Sequence, residues 1–431
     1  MKSIFTERRQ RLGASLPANS AMIIAGASTH YRNADSSYAF RQDSNFWYLT
    51  GFNEAESTLV VLTDDAQVTQ SIAFVPEKDK LKEIWDGYRA GPEGAVKDHG
   101  FDGAFNNSEI NDKLPELLKG FSRVFYPVGK NSGLDQNIIE WIKAAKSKDR
   151  HSSAIDIADA SSKVGNQRLI KDDYEIDLMK KACLISAESH VEAMKFVKPG
   201  MTEQEMEAFY LYEFAKRGGR FSAYTPIVAG GENACVLHYV ENSRLLNEGD
   251  LLLVDAGCEY DFYASDITRT FPVSGKFTDA QLAIYEVVLE AQLKSIEAVS
   301  VNNNVMDAQT ISEKVITQGL IDLGILTGSM EDLHAAGAFK EFYMHKIGHW
   351  LGIDVHDAGD YMEDNQFMQF KPGMVTTIEP GIYIPSTANV ADKWKGIGIR
   401  IEDDILVTPE GNQNLTEFVP SDPKEIEALM A

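Results

Sequence analysis

Hydrophobic and polar positions along the chain change their period near residue 170. Before it, short β-rich runs at Met22–Ala25, Thr58–Leu62 and Ile72–Val75 are bounded by polar or Gly/Pro turns. Leu134–Lys146 repeats its apolar residues at helical spacing. Strands interleaved with helices predict an α/β unit from Met1 to about Gly165. The polar segment Ser147–Ser153 and the stretch Ser161–Asn166 read as a boundary region, which divides the chain into domains at 1–168 and 169–431.

After Lys171 the pattern lengthens. Tyr174–Val197 is one long amphipathic helix, stopped by Pro199-Gly200. Thr202-Glu-Gln-Glu205 is a capping box that opens a helix running to about Arg217, before Gly218-Gly219. Strands are expected over Gly249–Ala256 and Asp261–Pro272, and helices over Asp279–Val299 and Val305–Leu323. Further strands are expected near Met374–Ile378 and Gly398–Val407. The order helix, helix, strands therefore occurs twice. Gly249-Asp-Leu-Leu-Leu-Val-Asp255-Ala-Gly257 aligns without gaps on Gly373-Met-Val-Thr-Thr-Ile-Glu379-Pro-Gly381. Each is a glycine turn, an apolar strand, one acid, a small or imino residue and a glycine. This predicts an internal duplication, with two similar halves about a pseudo-twofold axis and one acid-bearing strand of each near the middle.

The 431 residues suit two domains with sizeable cores. A formal net charge of −24, spread along the chain, repels phosphate backbones and excludes nucleic acid as a partner. The three cysteines, Cys183, Cys235 and Cys258, are odd in number and lack CxxC spacing, which fits a reducing compartment. Met1–Gly13 is charged and polar, and Ala21–Ala25 is too short for a signal core or a membrane span. A cytoplasmic protein with no membrane partner is expected.

Candidate chemistry gathers in the second domain. If Tyr260-Asp261 forms a two-residue hairpin loop, Asp255 falls directly opposite Asp266, with Cβ atoms about 4.5–5.5 Å apart. Two buried carboxylates that close repel, and a divalent cation compensates them. A solvent-exposed hairpin with two ordinary acids is the plain alternative, and the pair alone does not decide. In the second half Glu379 ends one apolar strand and Glu402 lies in another, Gly396-Ile-Gly-Ile-Arg-Ile-Glu402-Asp-Asp404. There the alternative is a buried Glu402–Arg400 ion pair.

Of nine histidines, His345, His349 and His356 fall within twelve residues. His345 and His349 have zincin spacing, but Lys346 stands where the zincin glutamate would be. Gly348 and Gly352 oppose a helix, so a loop or short strand is expected. His238 precedes Asp255 much as His356 precedes Glu379, and faces the same cleft from the other half. Four carboxylates and an imidazole form a hard donor set, suited to two manganese or similar divalent ions rather than to a thiolate zinc site. No G-x-S-x-G, P-loop or G-x-G-x-x-G occurs, and Gly230-Gly231-Glu232-Asn233 is too short to signify nucleotide binding.

These residues resemble the pita-bread metallopeptidases, the group that holds methionine aminopeptidase, prolidase, creatinase and aminopeptidase P. The group's ligand series of Asp, Asp, His, Glu, Glu falls on Asp255, Asp266, His349, Glu379 and Glu402. The resemblance spans nearly the whole chain and looks closest to the bacterial aminopeptidase P branch. It is carried by Tyr38-Ala-Phe-Arg-Gln-Asp-Ser-Asn-Phe-Trp-Tyr-Leu-Thr-Gly-Phe52, Asp255-Ala-Gly-Cys-Glu-Tyr260, Asp266-Ile-Thr-Arg-Thr-Phe-Pro272, His349-Trp-Leu-Gly352 and Glu425-Ile-Glu-Ala-Leu-Met430. Lys346-Ile-Gly348 departs from the Gly-Leu-Ser or Gly-Leu-Gly often found there, leaving the ligands untouched and altering the cleft floor.

The resemblance implies an α+β protein: an N-terminal α/β domain followed by a C-terminal pita-bread domain with pseudo-twofold repeat. It implies a metallopeptidase that hydrolyses the N-terminal Xaa-Pro bond with a hydroxide bridging two divalent ions, manganese by expectation. Asp255 would hold one ion through both oxygens, Asp266 and Glu402 would bridge, and His349 and Glu379 would complete the second. Glu379 would also carry the proton to the leaving proline nitrogen. His356 and His238 would donate to the carbonyl oxygen and oxyanion. His345, Tyr383 and Arg400 would shape the proline side, and Trp85 would reach a neighbouring subunit's site in a dimer or tetramer. Two rivals share the scaffold. One is a prolidase, which must grip a free carboxylate close to the metals. The other is a non-catalytic binding protein, against which five ligand-competent positions stand. The N-terminal block and the Trp85 segment favour the aminopeptidase, whose site stays open to longer peptides.

Overall fold

The protein was analysed as a computed structural model that describes residues 2–147 and 154–431. Of the polar stretch read as part of a boundary, 148–153 lies outside the described residues, and 161–166 lies in the helix Ser161–Leu169. The chain forms two compact units, Met1–Arg168 and Leu169–Ala431.

The first unit is built on strands β1 (Ser20–Ala25), β2 (Tyr31–Asn33), β3 (Ser36–Ser37), β4 (Thr58–Thr63), β5 (Thr69–Val75), β6 (Gly103–Asn106), β7 (Arg123–Tyr126) and β8 (Asp156–Asp159). Six of them form a mixed sheet in the order β6-β5-β4-β1-β7-β8, and β2 and β3 form a separate exposed hairpin. Alternation decides the faces. Ala21 and Ile23 of β1 join Val60, Phe74 and Val124 against Leu114, Ile138, Trp141 and Ile142 of two covering helices, Ile110–Leu117 and Ser132–Ser147. Part of the Tyr38–Phe52 block becomes the helix Ser44–Thr50. Asp43 caps it by accepting the Phe46 N–H, and Gly51 closes it with a left-handed φ of 58°.

The second unit carries two helix pairs, Asp173–Phe196 with Glu203–Arg217 and Asp279–Glu297 with Val305–Asp322. All four begin with a capping box, from Asp172/Glu175, Thr202/Glu205, Thr278/Gln281 and Asn304/Asp307. Met194, Met206, Tyr210 and Phe214 of the first pair pack with Ile284, Tyr285, Val288, Ile316 and Leu320 of the second in one continuous core.

Its strands are β9 (Phe221–Ser222), β10 (Ile227–Gly230), β11 (Leu251–Asp255), β12 (Cys258–Tyr260), β13 (Tyr263–Ala264), β14 (Thr268–Pro272), β15 (Met362–Glu363), β16 (Gln366–Phe367), β17 (Val375–Ile378), β18 (Gly381–Ile384), β19 (Ile397–Arg400), β20 (Asp403–Thr408) and β21 (Gly411–Asn414). β11 lies between β10 and β14, and β20 lies between β17 and β21. The aligned glycines Gly249 and Gly373 both take left-handed φ, 85° and 90°, just before β11 and β17. The halves are joined where the acids lie: Thr268 and Glu402 form an isolated bridge, the Glu402 N–H donating to the Thr268 carbonyl at 3.0 Å.

Two strand expectations are corrected. Asp255 pairs with Thr268, not with Asp266. Tyr260 stays in β12 opposite Tyr263, and the two-residue loop is Asp261-Phe262, whose φ values of 46° and 73° suit a tight hairpin. That one-residue displacement moves every partner by two, leaving Asp266 diagonal to Asp255. The stretch Gly398–Val407 is two strands rather than one. β19 pairs with β18 and β20 with β17, and the chain changes sheet at Ile401-Glu402. Among the described residues no helix is long and apolar enough to cross a membrane.

Candidate metal centre

Four strand ends and one loop deliver the acids and the imidazole. Asp255 ends β11, Asp266 lies two residues before β14, Glu379 follows β17, and Glu402 lies between β19 and β20. His349 sits on an irregular segment, as the glycines predict. Backbone crowding explains two of them. A Cβ at Gly257 would fall 1.8 Å from the Ser265 carbonyl oxygen, and one at Gly348 would fall 2.0 Å from that of Thr377. The chain approaches this closely at the two places where the ligand-bearing segments turn.

The side chains converge. His349 Nε2 lies 3.5 Å from Asp266 Oδ2 and 3.6 Å from Glu379 Oε1. Ligand atoms of Asp266, His349 and Glu402 all lie within 4.8 Å of one another. His349 Nδ1 is 3.0 Å from the Trp350 carbonyl, to which it donates, so Nε2 is the nitrogen turned to the acids. Asp255 enters through partners: Tyr224 Oη bonds Asp255 Oδ1 at 2.6 Å and Asp266 Oδ1 at 2.5 Å. Glu402 accepts from Thr268 Oγ1 at 2.5 Å. Arg400 reaches Asp255 Oδ2 at 2.6 Å, Tyr383 Oη at 3.0 Å and Thr268 Oγ1 at 3.1 Å, so its partner is Asp255 and not Glu402.

Electrostatics makes this cluster want positive charge. Burial, then repulsion from Asp266, Glu379 and Asp255, raises Glu402 well above the usual carboxylate range. Burial lifts Glu379 to about 7 against the pull of His349 and Arg400. Burial also raises Asp266, which His349 and Tyr224 partly offset. Burial alone would depress His349, but its bond to Asp266 and the charges of Glu379 and Asp266 lift it to about 9. Mutually repelling buried oxygens around one oriented imidazole nitrogen fit hard divalent cations.

The ligands line a cavity of about 750 Å³ that also includes His238, His345, His356 and Arg400. His238 and His356 are exposed in it, within reach of a bound molecule. His345 is different. It donates from Nδ1 to the Lys346 carbonyl at 2.8 Å and accepts the Tyr383 hydroxyl at Nε2, also at 2.8 Å. Burial, with Arg400 nearby, pushes it down to about 4, so it is a neutral wall of the cleft. Trp85 belongs to the first unit, on the short helix Lys80–Asp86, and is 86% exposed.

Several residues of the centre were not singled out from the sequence. Tyr224 has no local signature. Asp404, visible only as the third acid after Ile401, accepts the Asp266 N–H at 3.0 Å and the Cys183 thiol at 3.3 Å. Arg269 donates to the Glu402 carbonyl at 2.7 Å and to Asp403 at 2.7 Å, fixing the segment that carries Glu402.

Comparison with known proteins agrees with this geometry. Residues 177–409 match the model of metallopeptidase family M24, and residues 5–126 match that of the aminopeptidase P N-terminal domain. The chain is 44% identical to the Xaa-Pro aminopeptidase of Haemophilus influenzae, over 100% of this chain and 97% of that protein. It is 42% identical to the Xaa-Pro aminopeptidase of Escherichia coli (strain K12), over 99% and 97%. It superposes on the Pseudomonas aeruginosa aminopeptidase PepP with a TM-score of 0.97 at 44% identity, covering 100% of this chain and 98% of that one. It also superposes on zinc-substituted Escherichia coli aminopeptidase P in complex with product with a TM-score of 0.97 at 42% identity, covering 100% and 98%. A duplicated fold with its acids and one histidine gathered at the join, preceded by that N-terminal domain, places the chain in metallopeptidase family M24.

Proposed function

We propose that this enzyme is an Xaa-Pro aminopeptidase that removes the first residue from peptides with proline in second position. The observation that carries the reading is the convergence of Asp255, Asp266, His349, Glu379 and Glu402 on one cavity flanked by exposed His238 and His356. Those five residues would hold two divalent ions, manganese by the hardness of the donor set. When bound, the ions supply charge that acidifies water and polarises the scissile carbonyl.

The chain's own groups do the rest. Glu379 takes a proton from the attacking water at a side-chain oxygen and returns it to the proline nitrogen as that nitrogen leaves. His356 and His238 donate hydrogen bonds to the carbonyl oxygen as charge develops on it. Arg400 orients Asp255, and through Tyr383 sets the position of His345 on the proline side. Trp85 extends toward a neighbouring subunit's site in a homo-oligomer. Its exposure beside Leu81, Ile84 and Tyr88 supports a covered face there. Free, mostly buried cysteines support a cytoplasmic setting.

The test is a digest of the dipeptide Xaa-Pro and the peptide Xaa-Pro-Yaa-Zaa by the manganese-loaded protein. Higher kcat/KM on the longer peptide is the expected result. Cleavage of the dipeptide alone would make the protein a prolidase, and no cleavage of either would end the reading. Metal analysis is expected to return two ions per chain.

A further inference from the structure

Lys346 lines the catalytic cavity and is exposed. Its backbone is pinned at the peptide group that follows it, which both accepts and donates. His345 donates from its ring to the Lys346 carbonyl, and the Ile347 N–H donates to Gln309 Oε1 at 2.6 Å. Ile347 itself is fully buried. The position of the Lys346 Cα is therefore fixed while its ammonium has reach. Among the described residues that ammonium makes no ion pair and no hydrogen bond, although four acids line the same cavity. The acids are occupied elsewhere: Asp255 by Arg400 and Tyr224, Asp266 and Glu379 by His349, and Glu402 by Thr268. A cation held at the wall of a peptide-sized cleft, and not neutralised by that cleft, is available to the substrate.

We propose that Lys346 is a specificity-determining residue that selects peptides presenting a carboxylate just beyond the proline. The inference rests on the function proposed above, in which His345, Tyr383 and Arg400 frame the proline side. Lys346 adjoins His345, which that reading places on the proline side, and its ammonium is assigned on that basis to the segment after the proline. Two sources supply the carboxylate: an acidic side chain at the third position, or the free C-terminus of a tripeptide. The pair is solvent-exposed, so the gain is modest, about two- to fivefold in kcat/KM. It is expressed mainly in KM, because the contact is equally present before and during bond cleavage.

The experiment uses the manganese-loaded full chain and two pairs of peptides. Ala-Pro-Glu-Ala-amide is compared with Ala-Pro-Gln-Ala-amide, and Ala-Pro-Ala with Ala-Pro-Ala-amide. The readout is the ratio of kcat/KM within each pair, for wild type, Lys346→Gln and Lys346→Arg. Wild type is expected to favour the carboxylate member about two- to fivefold in at least one pair, and that pair identifies the source. The ratio should fall to about one in Lys346→Gln, persist in Lys346→Arg and decline as salt is raised. A ratio unchanged by Lys346→Gln, or of one in wild type for both pairs, would overturn the inference and leave the aminopeptidase reading standing. Failure to cleave any of the four peptides would overturn both.

Discussion

Glu379 holds two tasks in one side chain, metal oxygen and proton carrier, so Glu379→Gln is expected to lower kcat by several orders of magnitude with the fold retained. Retention of more than a few per cent of turnover would remove the proton role. His356→Ala loses only a donor to the carbonyl, and should cost about 10²–10³-fold in kcat. Tyr224 is the residue whose loss separates metal binding from chemistry. Its hydroxyl bonds both Asp255 and Asp266, and burial, with those acids second, holds its phenol protonated. Tyr224→Phe is expected to weaken metal affinity about 10- to 100-fold and to recover much of its turnover in excess manganese. Equal affinity, by metal titration, would show that the bond orients nothing. At this scale the sequence marked Asp255, Asp266, Glu379 and Glu402, because a carboxylate at the end of an apolar run is conspicuous, but it did not mark Asp404. It was silent on Tyr224 and Thr268. Their importance comes only from which residue lies across the sheet, and a single-residue change in a hairpin loop is enough to alter that.

Elements of the second unit are tied by buried polar groups that composition does not reveal. Lys171, just before the helix Asp173–Phe196, pairs with Asp357 at 3.0 Å with both side chains 1% exposed. Asp357 follows His356, so this pair helps hold the loop that presents His356. Lys171→Met removes the lysine partner of a buried carboxylate and is expected to cost about 3–5 kcal/mol, whereas adding Asp357→Leu should restore much of that loss. A double variant no more stable than the single would refute the pairing argument. His190 is a second such tie. It accepts the Tyr210 hydroxyl at Nδ1 and donates from Nε2 to the carbonyl of Ala256, beside Asp255. Burial pushes its pKa from 6.5 down to about 3. The folded state thus binds fewer protons than the unfolded state, so its contribution is whole above pH 6.5 and is lost as pH falls toward 3. Replacement by Gln, which keeps one donor and one acceptor, is expected to flatten the fall in urea stability of the manganese-loaded protein between pH 7 and 4.5. An equally steep fall would assign it to other groups. The helices themselves were readable from spacing and capping boxes. The break between β19 and β20 was not, because Ile397, Ile399, Ile401, Ile405 and Val407 keep one two-residue alternation, interrupted only at Asp403, whichever sheet each half joins.

At the scale of the whole molecule, the metal centre concentrates in one unit the cost that the net charge of −24 spreads over the surface. Asp266, Glu379 and Glu402 are all raised by burial, Glu379 to about 7. A raised acid binds protons more readily folded than unfolded. Its contribution is present in acid and lost as pH rises through the folded value, so the metal-free protein should weaken between about pH 5 and 7. Divalent cations compete with those protons and reverse the loss, so binding them releases protons and strengthens with pH. Added manganese at 100 times its dissociation constant is expected to stabilise the second unit by about 2.7 kcal/mol per site. The same total concentration should raise its melting temperature more at pH 7.5 than at pH 5.5. The first unit, Met1–Arg168, carries none of the five ligands. Calorimetry with and without manganese at the two pH values decides the matter. A manganese shift of equal size at both would mean that protons do not compete at this centre, and no shift at either would mean that the acids at the join of the two halves hold no cation.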